Sequence, residues 1–267
     1  MSTESQNEKE RNEMIVKRID FEHGSIPSNI LNAAIPMLVA QLLSLLYNII
    51  DRIYIARIPH IGTTALGAVG LCFPIIVIIT AFSNLFGSGG APLFSINRGK
   101  GNIKKAEVIM NTSFSMLCIC GVALMVIGML FASSILMLFG ASEEGLSYAY
   151  PYMMIYLIGT VPSMIATGMN PFINAQGYAT SGMLSVTIGA VANLILDPLF
   201  IFGLNLGIKG AAIATIISQT LSAAYVFYFL RKKAELKVRV LSKGEWKACR
   251  DAVSYTHLRA HETCADL

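Results

Sequence analysis

The chain has 267 residues, of which 54% are hydrophobic and 13% charged, with a net charge of +4. Soluble domains carry about 25% charged residues, so this deficit, together with long apolar runs, excludes an ordinary soluble domain and puts the protein in a membrane. The modest basic excess has its meaning in where the lysines and arginines fall, not in nucleic-acid binding.

Residues 1–25 form a polar tail carrying Glu4, Glu8, Lys9, Glu10, Arg11, Glu13, Lys17 and Arg18, without the apolar core of a signal peptide. Six stretches follow, at 28–57, 65–96, 103–139, 146–174, 180–203 and 208–231. Each can cross the roughly 30 Å of hydrocarbon that about 20 helical residues span. Short turn-forming segments join them, among them Pro59-His60-Ile61-Gly62, Gly99-Lys100-Gly101-Asn102 and Leu204-Asn205-Leu206-Gly207. No alternating strand pattern competes, so the expected fold is all-α: a polytopic bundle of six transmembrane helices over residues 26–232.

Basic residues are unevenly shared between the loops. The leading tail, the loop with Arg98, Lys100, Lys104 and Lys105, and the segment with Arg231, Lys232, Lys233, Lys237 and Arg239 hold most of them. The first, third and fifth loops hold only Arg57 and Lys209. By the positive-inside rule both ends of the bundle face the cytoplasm, as in a multi-pass protein of a bacterial or archaeal cytoplasmic membrane. Residues 233–253 read as the start of a cytoplasmic linker. Ser254–Thr263 resembles a translated sequencing adapter, so residues 254–267 are set aside as a non-native tail, and His257 and His261 are not offered as ligands.

Cys72, Cys118, Cys120, Cys249 and Cys264 show no metal or disulfide spacing and read as packing residues. No Ser-His-Asp order, zinc spacing or nucleotide loop appears, so neither an enzyme nor a cofactor is expected. Gly87, Gly89 and Gly90 lack the Lys-Ser/Thr of a phosphate loop and read as sites of close helix approach.

The chemistry gathers at one depth. Asp51 lies six residues from the outer end of the first span, Asp197 six from that of the fifth, and Thr215 seven into the sixth. At a rise of 1.5 Å per residue, all sit about 10 Å below the outer boundary. Asn193 shares the face of Asp197 one turn deeper. A carboxylate at mid-membrane costs roughly 2.5–3.5 kcal/mol by insertion scales unless protein or water receives it. Paired carboxylates at one level can hold a proton or a small cation such as Na+. Pro198 lacks an N–H and so frees the carbonyl of Leu194. The alternative is that Asp51 pairs with Arg52 or Arg57 near the headgroups while Asp197 bonds a neighbouring helix. Gln41, Asn48, Asn170 and Asn174 are either interhelical glue or the lining of a substrate cavity.

These features resemble, in order, the multidrug and toxic compound extrusion (MATE) family, in its DinF-like prokaryotic subgroup. The residues concerned are Pro36, Tyr47-Asn48-Ile49-Ile50-Asp51, Ala65–Gly70, Gly87-Ser88-Gly89-Gly90-Ala91, Gly189–Gly203 and Gly207–Thr215. The resemblance implies the first six-helix lobe of a twelve-helix secondary antiporter whose second bundle is missing here. It also implies export of amphipathic, often cationic, drug-like or metabolite compounds in exchange for H+ or Na+, with membrane lipid around it. Asp51, Asn193, Asp197 and Thr215 match the family's ion-responsive site, and Pro36 a proline where the first helix bends. The rivals are a flippase of the same superfamily moving lipid-linked oligosaccharide, and a structural fragment that does not transport.

Overall fold

The computed structural model describes Ile19 and residues 25–239. The expectations for the rest of the leading tail and for residues 240–267, the adapter-like stretch included, lie outside the described residues. Within them the helices are α1 (Ile26–Ala56), α2 (Gly62–Gly99), α3 (Ile103–Leu138), α4 (Glu143–Ile158), α5 (Thr160–Ala175), α6 (Ala179–Pro198) and α7 (Ile208–Lys232). Five of them are long and apolar enough to cross a membrane singly. The expected fourth span is not continuous: α4 and α5 meet at Gly159 with a bend of 56° and together make the sixth crossing by length and composition.

Local chemistry sets the helix ends. Pro27 occupies the first turn of α1, where a missing N–H costs nothing. The Asn102 side chain accepts from the Lys105 N–H at 3.2 Å and the Ser142 hydroxyl from the Gly145 N–H at 3.1 Å, so α3 and α4 both start on capped turns. Gly140 and Gly177, with φ of 87° and 92°, take the left-handed turns that follow α3 and α5.

The bundle is held by close packing of small residues. A Cβ on Gly87 of α2 would run into the backbone of Gly168 of α5, and one on Gly90 into Ser113 and Phe172. Gly89, by contrast, faces open space. Lipid tails are as apolar as leucine, so helices in a membrane associate through such close approach rather than through water exclusion. Phe94 of α2 and Phe172 of α5 fill the same region edge to face, ring centroids 5.6 Å apart.

Helix α1 stands apart from this core. It packs chiefly along α6, and Ile55 is its only buried residue. Pro36 lies inside it, yet the helix runs unbroken from Ile26 to Ala56. At the far end of α6, Pro198 is followed by a π-helical turn over Leu199–Gly203, in which the Leu204 N–H reaches the Leu199 carbonyl at 2.8 Å. One extra residue per turn is a common local answer to a proline-disturbed ladder.

The Gly87–Gly168 crossing predicts its own mutant phenotype. Gly87→Val should lower the melting temperature of the detergent-purified chain, with overpacking costing about 1–3 kcal/mol or more. Gly89→Val should leave it nearly unchanged. Equal effects of the two would contradict the packing described.

Candidate functional site

The site forms where α1 and α6 run side by side. Asp197, the penultimate residue of α6, is fully buried, and Asn193 one turn earlier is 3% exposed. The Asn193 amide donates to Asp197 Oδ1 at 3.0 Å, as the i, i+4 spacing requires. From α1, the carboxyl of Asp51 comes within hydrogen-bonding reach of Asp197. Asp51 Oδ1 and Asp197 Oδ2 are buried, with no donor among the described residues. Two carboxyls can share a hydrogen bond only if a proton lies between them. Pro198 carries no N–H to meet the Leu194 carbonyl.

Arg52, the alternative partner of Asp51, holds its guanidinium over the ring of Phe73 at 5.6 Å from the centroid.

A cavity of about 360 Å³ adjoins the pair. Helices α1, α2, α5, α6 and α7 all contribute to its wall. Of the residues singled out in the sequence, Gln41, Asn170, Asn174, Asn193 and Thr215 line it. Asn193 is therefore both the donor to Asp197 and part of the cavity wall. Thr215 lies on that wall too, its hydroxyl donating back to the Ala211 carbonyl at 2.9 Å. Neither Asp51 nor Asp197 lines the cavity; Asp197 is sealed from solvent one turn beyond Asn193, and Asp51 is half-buried.

Asn48 departs from expectation. It is exposed, donates to the Ser44 carbonyl of its own helix at 2.7 Å, and takes no part in the lining. The neighbouring Tyr47 takes the cavity position instead, since one residue on a helix is a turn of about 100°. Asn170 and Asn174 are glue and lining at once. The Asn170 amide donates to the Gly182 carbonyl at 2.9 Å and to Ser185 Oγ at 2.7 Å, tying α5 to α6, and Asn174 donates to Asn170 Oδ1 at 3.1 Å.

Sequence reasoning missed several participants. Tyr152 of α4, 3% exposed, lies within electrostatic reach of both Asp51 and Asp197 and stacks on Tyr156 with centroids 6.2 Å apart. Asn84, Ser163, Thr167, Ser218 and Gln219 extend the polar wall. A signal for Tyr152 existed: tyrosines four residues apart in an apolar span put two hydroxyls on one face. No Asp, Glu, Lys, Arg or His lines the cavity among the described residues.

The profile of the MatE family matches residues 36–199, a stretch that holds Pro36, Asp51, Asn193 and Asp197. The chain belongs to the MatE family. It is 30% identical over 229 residues to the multidrug export protein MepA of Staphylococcus haemolyticus, covering 85% of this chain and 50% of that one. It is 29% identical over 233 residues to an FAD transporter of Shewanella oneidensis, covering 86% and 50%. The fold matches a multidrug resistance MATE-family transporter solved in an outward-facing conformation, with a TM-score of 0.78 at 25% identity, over 87% of this chain and 52% of the other. The chain thus spans about half the length of the curated relatives it matches. MatE proteins are membrane transporters rather than enzymes, and the all-helical bundle here is one lobe of their architecture.

The bond from Asn193 to Asp197 should be measurable in stability. Asn193→Leu strips the buried carboxyl of its donor and should cost about 1–3 kcal/mol, seen as a fall in melting temperature of the purified chain. Asn48→Leu, on the exposed face, should stay within about 0.5 kcal/mol of the parent.

Proposed function

We propose that this chain is the first bundle of a secondary antiporter that exports amphipathic or cationic drug-like compounds in exchange for H+ or Na+. The observation that carries the reading is the Asp51–Asp197 pair, coupled through Asn193 to the wall of a polar cavity. In the proposed cycle a proton or sodium ion enters between the two carboxyls, with Asn193 and Thr215 assisting. The added cation removes the repulsion between the carboxyls and draws the Asp51 end of α1 toward α6. Helix α1 then bends at Pro36, where the Asn32 carbonyl lacks a donor on residue 36, and the cavity shrinks and releases its cargo. Names of relatives at 30% and 29% identity, a multidrug exporter and an FAD transporter, support export of organic molecules.

The missing half of the cavity wall is assigned to a second bundle of the same protein, in keeping with the half-length match. The proposed orientation has Ser25 and Lys232 on the cytoplasmic side. Its support is the cluster of Arg98, Lys100, Lys104, Lys105, Arg231 and Lys232 near one set of helix ends, against Arg57 and Lys209 near the other.

A second reading concerns cargo. Gln41, Asn84, Asn170, Asn174, Asn193 and Gln219 give the cavity an uncharged, carboxamide-rich wall. Such a wall suits a hydrogen-bonding metabolite as well as a cation, and the FAD-transporter relative is consistent with it.

Asp197→Asn, made in the full-length protein and expressed in a drug-sensitive host, should reach the membrane yet lose at least tenfold in the drug concentration tolerated. Resistance equal to that of the parent would dismiss the coupling role of the pair.

A further inference from the structure

Over residues 233–239, beyond α7, the chain stays on the bundle. Residues 234–236 bend, and 237–239 continue without regular structure, across the end where α2 and α5 finish, with Ala234, Leu236 and Val238 buried and Glu235, Lys237 and Arg239 exposed. That is the two-residue alternation of a strand laid on a surface.

The surface is built to receive it. Gln176, fully buried after α5, treats Leu236 as a neighbouring strand would. The Leu236 N–H donates to Gln176 Oε1 at 2.9 Å, and Gln176 Nε2 donates to the Leu236 carbonyl at 3.4 Å. The Val238 N–H reaches the Leu230 carbonyl at 3.1 Å, and the Arg239 N–H reaches Asn111 Oδ1 at 2.8 Å. Two ion pairs flank the segment, Arg98–Glu235 at 2.6 Å and Arg239–Glu107 at 2.8 Å. The ends of α2, α3, α5 and α7 are thereby tied to one stretch of chain.

The receiving turn is also the floor of the cavity. Asn174 lines the cavity. Its successors are engaged from the other side: the Ala175 carbonyl takes the Arg98 guanidinium at 3.1 Å, Gln176 takes Leu236, and the Gly177 carbonyl takes the Ile19 N–H at 3.0 Å. Only one helical turn separates the cavity from the strapped surface.

We propose that Ala234–Arg239 is a strap holding the cavity floor closed at this end of the bundle. Opening the cavity toward that side requires the strap to lift from Gln176. Segments held by a short row of hydrogen bonds release and re-form as a unit, which suits a part that must move once per cycle. The proposal rests on the transporter reading, but its test needs no transport.

In the full chain, Cys72, Cys118, Cys120, Cys249 and Cys264 are replaced by alanine or serine, and Met183 on the cavity wall by cysteine. A membrane-impermeant maleimide is applied from the strap side of sealed vesicles. Hydrogen exchange at the Leu236 and Val238 amides is followed in parallel. Gln176→Leu should speed exchange at Leu236 about tenfold, as loss of two buried hydrogen bonds implies, and raise Met183→Cys labelling several-fold. Arg239→Glu, which sets two acidic groups against each other, should do the same more weakly. The swap Glu107→Arg with Arg239→Glu should restore both readings, which a misfolded variant would not do. Faster strap exchange with unchanged labelling would overturn the proposal, since the strap would then be a tether only. No change in either reading would overturn it as well. If the unmodified full-length protein moved no compound while these labelling results held, the transporter reading alone would fall.

Discussion

Two carboxyls on adjacent helices, Asp197 buried and Asp51 half-buried, with the Asn193 amide donating to Asp197, set the terms for the rest of this bundle. In water such a pair would separate and hydrate. Between α1 and α6 it cannot, because Asp197 is sealed from solvent and Asn193 occupies one of its oxygens. Two adjacent negative charges in a medium of low dielectric repel strongly. The proposed visit of a proton or sodium ion is the least costly relief. The position of Pro198, the π-helical turn after it and the polar wall around Asn193 all bear on this pair.

The remainder of the lobe supplies rigidity against which the pair can act. Glycine-mediated contact brings the α2 and α5 backbones together, and Asn170 fastens α5 to α6. Neutral amides and hydroxyls line the cavity, so the acidic groups exert their field from beyond its wall rather than by direct contact. In the proposed cycle, that separation lets the ion site and the cargo site influence each other without sharing atoms.

Much of the fold was legible because apolar runs of membrane length are strong signals and the turns between them are dense in glycine and asparagine. The meeting of Asp51 and Asp197 was legible too, since helix rise converts sequence distance into depth. What escaped depended on angles rather than on composition. The break at Gly159 is silent because a single glycine does not end an apolar run. Asn48 could be read as glue or lining, and Tyr47 not at all, because depth arithmetic carries no information about rotation around the helix. Tyr152 is silent for a related reason: it lies within electrostatic reach of the carboxyls on a helix with no charged landmark near that depth. The strap was hidden because three small alternating apolar residues after a basic cluster resemble an ordinary linker.

Helix α1 combines an internal proline with packing almost entirely along one partner, α6, and the pairing has a mechanical consequence. Deforming a packed helix disturbs every contact along it, whereas a helix anchored along one side and buried only at Ile55 can flex while the scaffold stays still. Evolution has put the compliant rod and the charge that could load it on the same segment, fifteen residues apart from Pro36 to Asp51. A small force applied near one end of such a rod becomes a wide sweep at the other.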